Sequence, residues 1–181
     1  MWTLCLALPI VFAHPELSAS AEVPPKNVVI ADLGQHVIGL GYQRSVKTWL
    51  SLQVAANFYD PWTQNTNFLG LSGDSNRGDL LGAVVRSRAF FYPFASAPTG
   101  FWLSPFTQYG VARATRAGER RIGAVGAVGV GVGYSVLLGR WLLLGGGTGL
   151  QYHAAHIAGG EGPPSFRRLY PHLDIQAGYA F

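Results

Sequence analysis

The chain has 181 residues and a formal net charge of +4, with 12% charged, 49% hydrophobic and 13% aromatic residues and 24 glycines. That length fits one domain, the hydrophobic content excludes a disordered chain, and glycine without a G-X-Y period excludes collagen. No run reaches the ~18–20 apolar residues of a membrane-spanning helix.

The first apolar stretch, Trp2 to Ala13, is too short for a span and is followed by "SASAE", in which Ala19 and Ala21 form an A-x-A-like cleavage site. This predicts a signal peptide over 1–21 and a mature barrel domain over 22–181, although "MWT" lacks the usual basic residue before the apolar run. Cleavage would remove Cys5, the only cysteine, and with it any disulfide or thiol chemistry. "TLC" lacks the small residues expected before a lipidated cysteine, so no lipid anchor is expected.

From there the sequence reads as strands. "NVVIADL" (27–33) and "HVIGLGYQ" (36–43) are short alternating runs around Gly34-Gln35. In 48–60, Leu50, Leu52, Val54, Ala56 and Phe58 oppose Trp49, Ser51, Gln53, Ala55 and Asn57. In 79–94, Leu81, Ala83, Val85, Ala89 and Phe91 oppose Gly82, Arg86 and Arg88. Runs follow at 100–113 and 123–137, where Val128, Val130, Val132 and Tyr134 alternate with Ala127, Gly129, Gly131 and Gly133. The last two are 141–154 and "LYPHLDIQAGYAF", which ends on Phe181. Side chains of a strand alternate between faces, so each run has one apolar and one polar or small face. Glycine at every second position would ruin a helix.

The connections alternate in length: 44–47 tight, 60–78 long, 95–99 tight, 114–121 middling, 138–140 tight and 157–165 long. Short turns at one end and longer polar loops at the other predict an all-β, eight-stranded antiparallel up-and-down transmembrane β-barrel of the bacterial outer membrane. Inward glycines 129, 131, 133, 145, 147 and 149 leave room in an interior only wide enough for side chains. Two aromatic girdles are expected. Phe90, Phe91, Tyr92, Phe101, Trp102, Tyr134, Trp141, Tyr179 and Phe181 would form the periplasmic one. Tyr59, Trp62, Tyr109, Tyr152, Phe166 and Tyr170 would form the outer one. A soluble lipocalin-like barrel is the alternative architecture, and outward apolar bands argue against it.

The run "KNVVIADL…HVIGLGYQRSVKTWLSLQVAANFYDPW", with "RAFFYPFASAPTGFW" and "GVGVGYSVLLGRWLLLGGGTGLQY", resembles a family of small bacterial outer-membrane barrels of uncharacterised function. That family is similar to OmpA- and OmpX-type barrels. The resemblance implies fold and membrane but no activity, and the family favours an acidic residue where this chain has Gln43. The terminal alternation through Tyr179 to Phe181 resembles the β-signal read by the barrel-assembly machinery.

Four sets of residues carry possible function. Arg86 and Arg88 face the interior, with Asp32, Asp174 and His172 expected beside them. A buried charge needs a partner, so an interior ion-pair plug is expected, with a narrow small-solute channel as the alternative. Asp79, at a strand start, suits either. His153, Ser165 and Glu161 would be base, nucleophile and acid if the barrel hydrolysed lipid acyl chains. It resembles a lipid A deacylase barrel in outline, but that pattern sets Ser two residues after His, and "HAAH" has Ala155 there. His153 and His156 are an odd number apart, which sends them to opposite faces and argues against a shared metal. Neither enzyme activity, metal nor cofactor is expected. "GAVGVGVG" lacks both nucleotide-binding fingerprints.

Arg113, Arg116, Arg120, Arg121, Arg167 and Arg168 flank the last two external loops. An exported barrel meets no nucleic acid, but its outer leaflet carries lipopolysaccharide phosphates that arginine can chelate. The expected partners are therefore membrane lipids, lipopolysaccharide and, during biogenesis, the assembly machinery. A monomer with a structural or interaction role is expected.

Overall fold

The computed structural model describes residues 24–34, 36–59, 81–116, 119–156 and 166–181. The signal peptide, Trp62, Asp79, Glu161 and Ser165 fall outside the described residues. Eight antiparallel strands close into one barrel in sequence order: β1 Asn27–Gly34, β2 Val37–Lys47, β3 Leu50–Tyr59, β4 Leu81–Phe91, β5 Gly100–Arg116, β6 Glu119–Leu138, β7 Leu142–His156 and β8 Phe166–Ala180. The last strand pairs with the first from Val28↔Ala180 to Gly34↔Asp174, which leaves no open sheet edge over that span.

The register fixes the geometry. Paired residues lead round the barrel from Ile30 through Gly41, Ala55, Arg86, Gln108, Ala127 and His153 to Arg168. The β8–β1 register (Asp174 opposite Gly34) carries Arg168 to position 40, ten beyond the start. A stagger of ten over eight strands goes with a tilt of about 40°. Each step along the hydrogen bonds therefore climbs the barrel axis, and side chains far apart in sequence share a level.

Alternation then sorts the chain into two surfaces. Leu40, Val54, Phe58, Val85, Val128, Leu150 and Ile175 point outward and are exposed, whereas Gln53, Asn57, Arg86, Gln108, Gln151 and Asp174 point inward and are buried. Phe91, Phe101, Tyr134, Trp141, Tyr179 and Phe181 girdle one end of the outward surface, and Tyr109 and Tyr152 the other. At ~3.3 Å per residue and that tilt, the girdles stand roughly 20 to 27 Å apart. An outer-membrane apolar band is about as tall.

Three expectations need correction. The tight connection expected over 44–47 lies within β2, which continues to Lys47, and the turn falls at 48–49. Phe90, Tyr92 and Trp102 are not girdle residues but pack together inside the barrel with Ala97, and Tyr59 and Tyr170 are likewise buried inside. They share the inward parity of their strands, so position along the strand overrode parity in the sequence reading. The connection expected over 114–121 shrinks to 117–118, because β5 and β6 continue to Arg116 and from Glu119. Beyond the membrane a strand can carry arginines in water, so charge does not end it.

The interior glycines have specific occupants. The Trp102 indole lies where a Cβ at Gly133 or Gly147 would have to go, and the Phe106 ring does the same at Gly129. Two aromatic side chains of β5 thus fill the space at Gly129, Gly133 and Gly147, while Arg88 and Gln176 come within 4 Å of the Cβ positions of Gly131 and Gly145. At the β6–β7 turn Gly139 has φ +63°, a backbone region that disfavours a Cβ.

Candidate functional site

Arg86 and Arg88 are two apart on β4, so both guanidinium groups enter the interior and need compensation there. The closure of β8 on β1 supplies it. Arg86 Nη1 donates to Asp32 on β1 at 3.1 Å (Oδ1) and 3.3 Å (Oδ2), and its Nε and Nη2 donate to Gln108 Oε1 at 3.2 and 3.0 Å. Arg88 Nη1 donates to Asp174 Oδ2 on β8 at 2.5 Å, and its Nε to Ser104 at 3.2 Å. Gln176 Nε2 donates to the same aspartate oxygen at 3.0 Å. Two cations and two anions cancel within a low-dielectric space, which burial of charge demands.

Aromatic faces complete the packing. The Arg88 guanidinium carbon lies 4.6 Å from the Phe90 ring centroid and 5.6 Å from those of Trp102 and Phe106. Phe106 also receives Arg86 at 5.3 Å and the His172 ring at 4.6 Å. His172, expected in the charge cluster, thus meets a ring there, and among the described residues no hydrogen-bond partner reaches either of its nitrogens. Gln43, where the resembling family favours an acid, donates to the Tyr92 hydroxyl at 3.2 Å. Charge balance in this cluster needs no acid at that position.

Above this layer the interior changes character. Tyr59 Oη and His153 Nε2 share a 2.6 Å hydrogen bond, and the His153 ring lies 5.5 Å from His36 and 6.1 Å from Tyr170. Val37, Tyr59, Val84, Ala112, Val125 and Ala155 close that end with apolar contacts. Val28, Ile30, Leu143 and Ala180 help close the other, beside the Phe90–Trp102 cluster. His156 points outward, away from His153. The imidazole named as a candidate base is held by a phenol, and among the described residues no group of three or more His, Cys, Asp or Glu could hold a metal.

Sequence reasoning found both arginines and both aspartates. It missed Ser104, Phe106 and Gln108, although all three lie on the inward parity of β5, and it missed Tyr59 as the partner of His153. The rim arginines are strand residues: Arg113 pairs with Ile122, Arg120 with Thr115, Arg121 with Ala114, Arg116 with Glu119, Arg167 with Ala154 and Arg168 with His153. Arg113, Arg120 and Arg167 are exposed. Tyr179 and Phe181 are exposed on the outward face and stack at 6.2 Å.

No family model and no curated protein matches this chain. Among solved structures it is similar to the N-terminal β-barrel domain of Pseudomonas aeruginosa OprF, at 11% identity and a TM-score of 0.49, over 87% of this chain and 98% of that one. It is also similar to Neisserial surface protein A, at 12% identity and a TM-score of 0.52, over 86% of this chain and 95% of that one. The latter likeness shows the fold: a closed eight-stranded barrel of the outer-membrane type.

Proposed function

We propose that this chain is an integral protein of the bacterial outer membrane, exported behind a cleaved signal peptide, with a structural or interaction role at the lipopolysaccharide leaflet. The observation that carries this reading is the continuous outward apolar surface between two aromatic girdles. A soluble barrel would leave that whole face in water, far beyond the apolar patches a soluble monomer exposes. In lipid the same face costs nothing, and every strand's backbone is paired by a neighbour.

The interior supports a surface role rather than passage or catalysis. Its arginines are neutralised in pairs, both ends carry apolar clusters, and His153 shares a hydrogen bond with Tyr59. The shortest test is heat modifiability of protein extracted from membranes. A folded barrel runs faster on a gel before boiling than after. Recovery in the soluble periplasmic fraction, with no heat-dependent shift, would overturn the reading.

A further inference from the structure

The interior changes character at one height, and the register shows which residues meet there. At a tilt of about 40° each residue along a strand rises about 2.5 Å on the axis, and each step to the next strand about 3 Å. Asn57 of β3 shares its register with Gly110 of β5 through Val84, and Gln108 lies two residues lower. Gln108 shares its register with His153 of β7 through Ala127, and Gln151 lies two residues lower. Gln151 is opposite Tyr170 on β8, and His172 again lies two residues lower. Climb and descent nearly cancel, so Asn57, Gln108, Gln151 and His172 stand within about 3 Å of one height.

All four point inward and are buried. Among the described residues, no hydrogen-bond partner reaches Asn57 Oδ1 or Nδ2, Gln151 Oε1 or Nε2, Gln108 Nε2, or either nitrogen of His172. Gln108 Oε1 is already taken, since it accepts from Arg86. This height therefore gathers amide donors, amide acceptors and an imidazole, and a buried polar group without a partner forfeits its hydration for no return. On β6 only Gly129 and Ala127 face inward here. The wall lies about 8 Å from the axis, so polar ends from four strands converge on a shared core. Groups that face one another beyond direct hydrogen-bond reach are ordinarily joined through water.

The layer is closed above and below. Beneath it lie the Arg86–Asp32 pair and the Phe106 ring, which the His172 ring meets at 4.6 Å. Above it the Tyr59–His153 hydrogen bond crosses the interior, with His153 two residues beyond Gln151 on β7. The apolar cluster around Val125 and Ala155 lies beyond that bond. The charges below cancel, Arg86 with Asp32 and Arg88 with Asp174, so the layer faces no net charge that calls for a counter-ion.

We infer that Asn57, Gln108, Gln151 and His172 form a binding site for a small cluster of ordered water, enclosed between the ion pairs and the Tyr59–His153 bond. Water donates and accepts at once, and a buried water makes about three hydrogen bonds, so a few molecules satisfy this mixed set. A cation would serve the amide oxygens and strand the nitrogens, and an anion would do the reverse. The site rests on the closed barrel and not on its role at the membrane.

The test uses the full mature chain, isotope-labelled and refolded in detergent micelles, with magnetisation transfer from water to the side-chain amides read by NMR. The Asn57, Gln108 and Gln151 amides should show water cross-peaks of the sign that marks long-lived bound molecules. The Gln176 amide, which donates to Asp174 at 3.0 Å, should show none. Asn57→Leu/Gln151→Met replaces two of the four polar ends by apolar groups of similar size. It should keep its heat-modified mobility and lose the water cross-peak at Gln108. Absence of water cross-peaks in wild type, with direct contacts among the three amides instead, would overturn the site. Equal cross-peaks at Gln176, or an unchanged Gln108 peak in a folded double variant, would also overturn it. Shifts of these amides on titration with sodium or potassium chloride would assign the layer to an ion and sink the water reading. A wild type without heat-modified mobility would defeat the closed barrel and the site with it.

Discussion

Val85 and Arg86 are neighbours on β4, and their side chains occupy opposite solvents. Val85 is half exposed on the outward face, among other apolar groups that need no particular partner. Arg86 is sealed inside, with Asp32 and Gln108 on its guanidinium and Phe106 beneath it. The outer face asks for apolarity at the right parity, and many residues satisfy it. The inner face asks for shape and complementary charge at each position. Substitutions should therefore cost most inside, and the two faces of one strand should respond differently to the same chemical change.

The sharpest contrast lies within one glycine run. A Cβ at Gly147 meets the Trp102 indole and the Val132 carbonyl, whereas one at Gly146, on the outward face, comes no closer than 3.7 Å to any atom beyond its two chain neighbours. Gly147→Val should abolish the heat-modifiable folded species. Gly146→Ala should fold with wild-type yield. Equal folding of the two would break the argument that Trp102 fills the glycine slot.

The ion pairs come next. Arg86→Met or Asp32→Leu alone leaves a buried charge without its partner and should cost about 3–5 kcal/mol in urea unfolding from bilayers. The double variant should recover most of that loss, because removing both charges removes the desolvation cost as well. Additive losses would mean that each residue acts through separate contacts. Of smaller size is the outward counterpart: Val54→Arg, near the middle of the apolar band, should cost about 2–4 kcal/mol in a bilayer. In a soluble barrel the same change would be nearly neutral. That difference makes it an independent test of the environment.

Parity made much of this legible. Leu50 to Phe58 and Leu173 to Phe181 announce a two-faced strand without any structure, and the short and long connections announce an up-and-down barrel. Arg86 and Arg88 could be placed inside for the same reason. The partners of those arginines were half legible: Asp32 and Asp174 are the inward acids of the two strands that close the barrel, but the pairing of each depends on the stagger of ten. Local alternation carries no information about stagger. Phe90 and Trp102 were misplaced because aromatic residues near strand ends fit a girdle as well as a plug, and only their parity separates the two. The Tyr59–His153 bond joins residues 94 apart and follows from the register alone.

The last prediction concerns the end of the chain, where the stability effect should be the smallest. Phe181 is 57% exposed on the outward face, so its ring adds little burial to the folded barrel. Its backbone does more: Phe181 N–H donates to the Asn27 carbonyl at 2.8 Å and its own carbonyl accepts from Asn27 N–H at 3.1 Å. Phe181→Ala keeps both bonds, so the seam between first and last strands stays closed. Unfolding stability in bilayers should fall by about 1 kcal/mol or less, through the lost stacking on Tyr179 and some lipid contact. We propose that the outward aromatics Tyr179 and Phe181 are read during assembly, so in cells the same variant should accumulate far less folded barrel. Refolding yield from urea into detergent should match wild type, while the heat-modifiable fraction recovered from membranes should not. Equal yields in cells would remove the assembly role from Phe181, and a matched loss in both settings would assign the residue to the stability of the seam instead.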